Sequence, residues 1–187
     1  MKEFLRKIKL IESLTTELSI QKNEFVKTFK ENVDEGSTGF MSDSFDVFSS
    51  SKNEYKGHVG FDSFKIKRRR RFFDMNMNFA VANGTYVQKE NSLIIETEIN
   101  GFSGMMIPFY VFALIFYSIF IVTFSFADNI EGNGAGFALP FIIIHAAFMF
   151  GIPYFMMRRS TKRMAHELER EFFYMTRENT PYNKRYE

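Results

Sequence analysis

Cysteine is absent from all 187 residues, which excludes disulfides, thiolate metal sites and a cysteine nucleophile. Tryptophan is absent too, and proline occurs only four times. Net charge is small: 24 Lys and Arg face 22 Asp and Glu, giving +2. That balance offers no electrostatic footprint for nucleic acid, whose binding depends on neutralising phosphates. Catalytic signatures are missing. The chain has no GxSxG, P-loop, GxGxxG or HExxH, so no serine hydrolase, phosphate cradle, dinucleotide fold or zinc hydrolase is indicated. Asp43 and Asp46 lack the spacing of a calcium loop. No enzymatic activity, cofactor or metal is expected, and no nucleic-acid partner.

What is present is apolar length. Residues 103–127 form a run of 25 positions without charge, and residues 134–157 form a run of 24 whose one ionisable side chain besides tyrosine is His145. A bilayer core of about 30 Å needs about 20 helical residues, so each run can span. The connector is short, which predicts an antiparallel transmembrane hairpin, 103–127 and 134–157. The first fourteen residues are broken by charges and lack an apolar signal region, so the first span is expected to be its own targeting signal.

Lys and Arg near the helix ends set orientation. Arg158, Arg159, Lys162, Arg163, Arg170 and Arg177 follow the second run, whereas the connector carries only Asp128 and Glu131. Both termini are therefore expected in the cytoplasm of an inner (plasma) membrane protein.

Residues 1–101 hold 16 basic and 15 acidic side chains. Their pattern predicts a cytoplasmic α+β domain, a mostly antiparallel sheet with one helix. Lys7–Leu14 suggests a strand. Leu18, Phe25, Val26, Phe29 and Val33 recur at helical spacing, predicting a helix over about 20–33 with Ser19 as N-cap. The stretch 36–54 reads as a loop. Tyr55–Val59, Ser63–Phe73, Phe79–Ala82, Thr85–Gln88 and Ser92–Ile99 read as strands. Asn83-Gly84 suggests a hairpin turn between two of them, or alternatively a glycine bulge in one long strand. Leu93, Ile95, Thr97 and Ile99 share one face. Residues 158–187 predict a cytoplasmic amphipathic helix and tail, with Met164, Ala165, Leu168, Phe172, Phe173 and Met175 apolar. This helix either continues the second span, packs on the sheet, or lies on the membrane.

Two features are candidate sites. Strand alternation places Lys65, Lys67, Arg69 and Arg71 on one face, a cationic stripe for anionic lipid or an acidic partner; the bland alternative is a charged edge strand that prevents edge pairing. Within the membrane, His145 lies level with Tyr117 and Ser118 of the facing helix. A hydrogen bond to either fastens the hairpin or a dimer, and a proton or ligand role is the sharper alternative.

The stretch 55–127 joins Gly57, Phe64-Lys65-Ile66, Arg68–Arg71, Gly84-Thr85-Tyr86 and the alternating Leu93–Ile99 to a hairpin. In this it resembles a group of uncharacterised bacterial two-span inner-membrane proteins with an N-terminal α+β cytoplasmic domain. The resemblance implies a bacterial inner-membrane location and supplies no activity or site residues. A looser similarity to membrane-anchored domains of pleckstrin-homology type suits a sheet with a basic stripe. The sequence thus leads to a non-enzymatic, membrane-anchored interaction module. Its expected partners are membrane lipids, a membrane protein or further copies of itself. The alternative is a small accessory subunit of a transport or channel assembly, acting through oligomerised hairpins around His145.

Overall fold

A computed structural model describes residues 1–39, 51–70, 78–126 and 134–178. They form two compact units. The first joins both flanks of the chain, Met1–Phe102 and the segment from Met157 onward; the second is Ser103–Met156.

The first unit is α+β. Its elements run α1 (Lys2–Lys7), β1 (Ile11–Leu18), α2 (Lys22–Glu31), β2 (Val33–Glu35), β3 (Tyr55–Val59), β4 (Ser63–Arg68), β5 (Val81–Gln88) and β6 (Leu93–Asn100). The strands make one six-stranded sheet in the order β1-β6-β5-β4-β3-β2. All neighbours are antiparallel except β2 and β3, which are parallel. Strand alternation separates the two faces. Leu93, Ile95, Thr97 and Ile99 of β6 are buried, while Glu96 on the opposite face is exposed.

The apolar face is closed by α2 and by the end of a long helix, α4 (Gly134–Glu178). From Met157 onward, α4 buries Met157, Ser160, Thr161, Met164, Ala165, Leu168, Phe172 and Met175, spaced by three and four residues as one helical stripe requires. The expected C-terminal helix therefore both continues the second apolar run and packs on the sheet. Phe173 departs from the expected stripe: it is 49% exposed. Phe25 and Phe29 of α2 meet Phe172 with ring centroids 5.5 Å apart in each case, and Phe64 lies 5.2 Å from Phe29 and 5.5 Å from Tyr86. Met164, Leu168 and Phe172 belong to the same core as the sheet, so residues 1–101 do not close it alone.

Several expectations are corrected. Asn83-Gly84 is not a turn. β5 runs straight through it, and its register with β4 and β6 is unbroken, without a bulge. Gly84 is needed because the Phe64 ring lies where its Cβ would be. The strand expected over Lys7–Leu14 starts later and runs further: α1 ends at Lys7, and β1 is Ile11–Leu18. The α1 end is closed by Leu10 N–H donating to the Leu5 carbonyl at 2.8 Å and Lys9 N–H to that of Arg6 at 3.0 Å, with Lys9 at φ 59°. This is the paired C-terminal closure normally built on glycine. α2 is shorter than predicted, and Gln21 rather than Ser19 is its N-cap. Val33 enters β2 instead of ending the helix.

The second unit contains α3 (Met106–Phe126) and the first part of α4. At 1.5 Å per residue α3 is about 31 Å long, matching a hydrocarbon core. Both helices are long and apolar enough to cross a membrane, and their most apolar 18-residue windows are only 11% and 6% buried. A helix in a soluble core would bury most of that surface. Here Phe112, Phe141 and Phe155 are 71%, 68% and 63% exposed.

Candidate functional site

One face of the sheet is covered by α2 and α4; the opposite face is open around Lys65, Asn83, Thr85 and Glu96, and buries Lys56 and Lys67. The open face holds a concavity of about 580 Å³ across the middle of β1, β6, β5, β4 and β3. Its lining mixes Leu14 and Phe64 with polar side chains: Arg6 from α1, Ser13 and Thr15 from β1, Glu96 and Glu98 from β6, Asn83 and Thr85 from β5, Lys65 from β4 and His58 from β3. Register fixes these positions. Lys65 lies opposite Asn83, Asn83 opposite Glu98, and Thr85 opposite Glu96. Glu98 on β6 thus lies in line with Lys65 on β4 across Asn83 of β5, so the concavity carries charge of both signs rather than of one.

The basic run is distributed accordingly. Lys65 is exposed at the rim of the concavity. Lys67 is 2% exposed and sits directly opposite the equally buried Lys56. Arg69 pairs with Asp34 of β2 at 2.6 Å. Arg71 lies outside the described residues. Arg68 points to the covered face, where both Glu167 oxygens of α4 accept from it at 2.8 Å, and Arg163 also donates to Glu167. Of the expected stripe of Lys65, Lys67, Arg69 and Arg71, Lys65 is exposed while Lys67 and Arg69 are drawn into the unit's own packing. Sequence reasoning missed Asp34 and Glu167, whose distance along the chain gives no local sign of these pairings.

Carboxylates beside this face are held ionised. Hydrogen bonds from Ser51 first, and then Asn53, with the Arg69 charge, keep Asp34 below its ordinary value of 3.8 despite partial desolvation. Lys2 and Arg6 do the same for Glu98, whose ordinary value is 4.5; their contacts are 2.8 and 2.7 Å. A carboxyl whose folded pKa is depressed contributes stability above its unfolded pKa and loses it as pH falls through the folded value. Acid titration of unfolding is therefore expected to show stability falling from below about pH 4.5. Removing both carboxyls, Asp34→Asn with Glu98→Gln, should flatten that fall. An unchanged slope would contradict the assignment. The effect is small, since both pairs are partly solvent-screened.

In the second unit the Tyr117 hydroxyl and His145 Nδ1 are 2.7 Å apart. With the ring proton on Nε2, the phenol donates and Nδ1 accepts. Ser118 does not reach His145: its hydroxyl donates to Leu114 O, one turn back, at 2.8 Å. Phe141 stacks on the His145 ring at 14° between planes, and Phe150 packs on Tyr110 and Tyr117. His145→Phe is expected to lose about 0.6 to 1.7 kcal/mol of hairpin stability, the span of intramembrane hydrogen bonds. Unfolding titration in mixed micelles measures it, and the Tyr117→Phe, His145→Phe pair should be less than additive.

Among the described residues no three His, Asp or Glu side chains cluster as a metal site. No family model, curated protein or solved structure matches the chain.

Proposed function

We propose that the protein is a membrane-anchored, non-enzymatic interaction module, with its α+β unit in the cytoplasm and a protein partner on the open sheet face. The concave face, with charged and hydroxyl groups set around an apolar floor, carries this reading. One side of the sheet is sealed by α2 and α4, while the other leaves Lys65, Asn83, Thr85 and Glu96 in fixed rows around about 580 Å³. Glu96 and Glu98 balance Arg6 and Lys65 around the concavity, so no excess of positive charge draws an anionic lipid surface here. A protein segment with charge of both signs suits the rows.

Anchoring and topology support the same reading. Both outer ends of the apolar hairpin continue into one compact unit, which suits an even number of spans. The basic residues after the second span favour the cytoplasm for that unit. This arrangement agrees with the bacterial two-span inner-membrane type that the sequence resembles. His145 already has Tyr117 as a partner in its own hairpin, so the accessory-subunit alternative, which needs His145 to reach another copy, gains no support.

A photo-crosslinker at Thr85 in the full chain tests the proposal in cells. It is expected to give a discrete protein adduct that Lys65→Glu abolishes and a crosslinker at Phe61 does not give. Equal labelling from Thr85 and Phe61, or an adduct indifferent to Lys65→Glu, would overturn it.

A further inference from the structure

We propose that α1 is a second, peripheral membrane contact: a short foot that inserts Phe4 among the headgroups of an anionic leaflet. The inference rests on the reading that α3 and the apolar part of α4 cross the bilayer, and adds a lipid-binding surface to it.

Three observations within the first unit carry it. The first is an uncovered apolar side. α1 buries Leu5 against the domain but leaves Phe4 62% and Met1 89% exposed. A single exposed aromatic ring is ordinary on a protein surface, and Phe61 is 58% exposed too; Phe4 matters here for its place in the fold, since an aromatic ring at headgroup depth is favourable.

The second is position. The Leu10 carbonyl, just after α1, accepts from Gly101 N–H at 2.9 Å and lies 3.4 Å from the Thr161 hydroxyl. Gly101 stands five residues before α3 begins, and Thr161 lies in the first turns of α4 after Met157, the residue at which α4 enters this unit. The two chain segments that lead to and from the apolar hairpin therefore meet at the end of α1. Gly101 has no room for a side chain there, because a Cβ would meet Thr161 and the Met157 carbonyl. An anchored chain leaves the bilayer within a few residues of this point, which keeps α1 within reach of the headgroups.

The third is charge. Lys7, Lys9, Arg159 and Lys162 are exposed around this junction, and Lys2 and Arg6 share the single Glu98 carboxylate. They outnumber Glu3 and Glu12. Lys9 occupies a backbone conformation of φ 59° that glycine adopts without strain. A lysine held there costs folding energy, and its side chain is exposed at the end of α1. Cations near an anionic leaflet each add to binding, and an aromatic group beside them is the usual composition of an interfacial helix.

The absence of tryptophan supplies the test. Full-length Phe4→Trp is reconstituted into nanodiscs of mixed anionic and zwitterionic lipid, with or without brominated acyl chains. Phe116→Trp in α3 reports the span. Phe61→Trp, 58% exposed in the β3–β4 turn, reports the far end of the sheet. Phe4→Trp is expected to emit blue-shifted light and lose most of it to bromolipid. Both effects should weaken in zwitterionic discs and with Lys7→Gln, Lys9→Gln. Phe61→Trp should stay red and unquenched. If Phe116→Trp is quenched while Phe4→Trp behaves like Phe61→Trp, α1 does not touch lipid and the inference is overturned alone. If Phe116→Trp is itself unquenched, the membrane reading falls and takes the inference with it. Quenching of Phe4→Trp indifferent to lipid charge overturns the anionic preference.

Discussion

Phe172→Ala is expected to release the end of α4 from the sheet. Phe172 is fully buried, and its ring meets those of Phe25, Phe29 and Phe64 at 5.5, 5.5 and 6.0 Å. Truncating a buried phenylalanine costs about 3–5 kcal/mol. The cavity would open at the centre of three elements, none of which can move in to fill it without breaking a neighbouring contact. Because the apolar hairpin tethers both parts, local undocking is expected to precede loss of the hairpin. The population of the undocked state should rise by about 10² to 10³ or more, tenfold for each 1.4 kcal/mol. Limited trypsin digestion of the protein in nanodiscs measures it, through cleavage after Arg163 and Arg170. The exposed Phe173→Ala is the matched control and should change cleavage little. Equal rates for the two variants would contradict the packing of α4 on the sheet.

Gly84→Val is expected to damage the centre of the sheet. The added side chain would occupy the place of the Phe64 ring, and its Cβ would also come within 3.0 Å of the Glu96 carbonyl. Phe64 cannot swing aside, since it is 3% exposed and surrounded by Phe29, Tyr86 and Phe172. Overpacking of this kind costs about 1–3 kcal/mol. Gly84→Val combined with Phe64→Ala should be less destabilised than the sum of the two, because the smaller side chain vacates the space the larger one needs. Circular dichroism with denaturant titration reads the cycle. Additivity would show that Gly84 serves something other than the Phe64 ring.

That glycine also shows where local sequence signals stop. Asn-Gly is a strong hairpin dipeptide, yet what governs Gly84 is a ring from β4. Glycine at a close approach and glycine at a turn look alike in sequence. The legible parts were those whose periodicity answers to one large surface. The two apolar runs form helices long and apolar enough to cross a membrane, Leu93 to Ile99 answer to the sheet's covered face, and Met164, Leu168 and Phe172 to a helical stripe. β2 was not legible because its three residues pair in parallel with β3 across a long stretch of chain. α1 was obscured by its charges, and its end falls at a lysine where glycine is the usual stop signal.

The candidate site was legible in alternation and illegible in occupancy. The period-two reading put Lys65, Lys67 and Arg69 on one face and Arg68 on the other, and the contacts agree with that division. The spare charge was misjudged because Asp34 and Glu167 engage Arg69 and Arg68 from 35 and 99 residues away in sequence. The Tyr117 and His145 pairing was readable because an antiparallel hairpin with a short connector places their levels together, and a polar group in hydrocarbon seeks a partner.

The central claim is that one cytoplasmic α+β unit is assembled from both flanks of a two-span hairpin. Single-cysteine labelling of intact cells with an impermeant thiol reagent tests it most directly, and the cysteine-free chain needs no background removal. Cysteines replace Lys65 on the sheet, Lys162 on α4 and Asn129 in the connector, which lies outside the described residues. The account predicts labelling at position 129 in intact cells, and at 65 and 162 only after permeabilisation. Labelling at 65 and 162 on opposite sides of the membrane would contradict it.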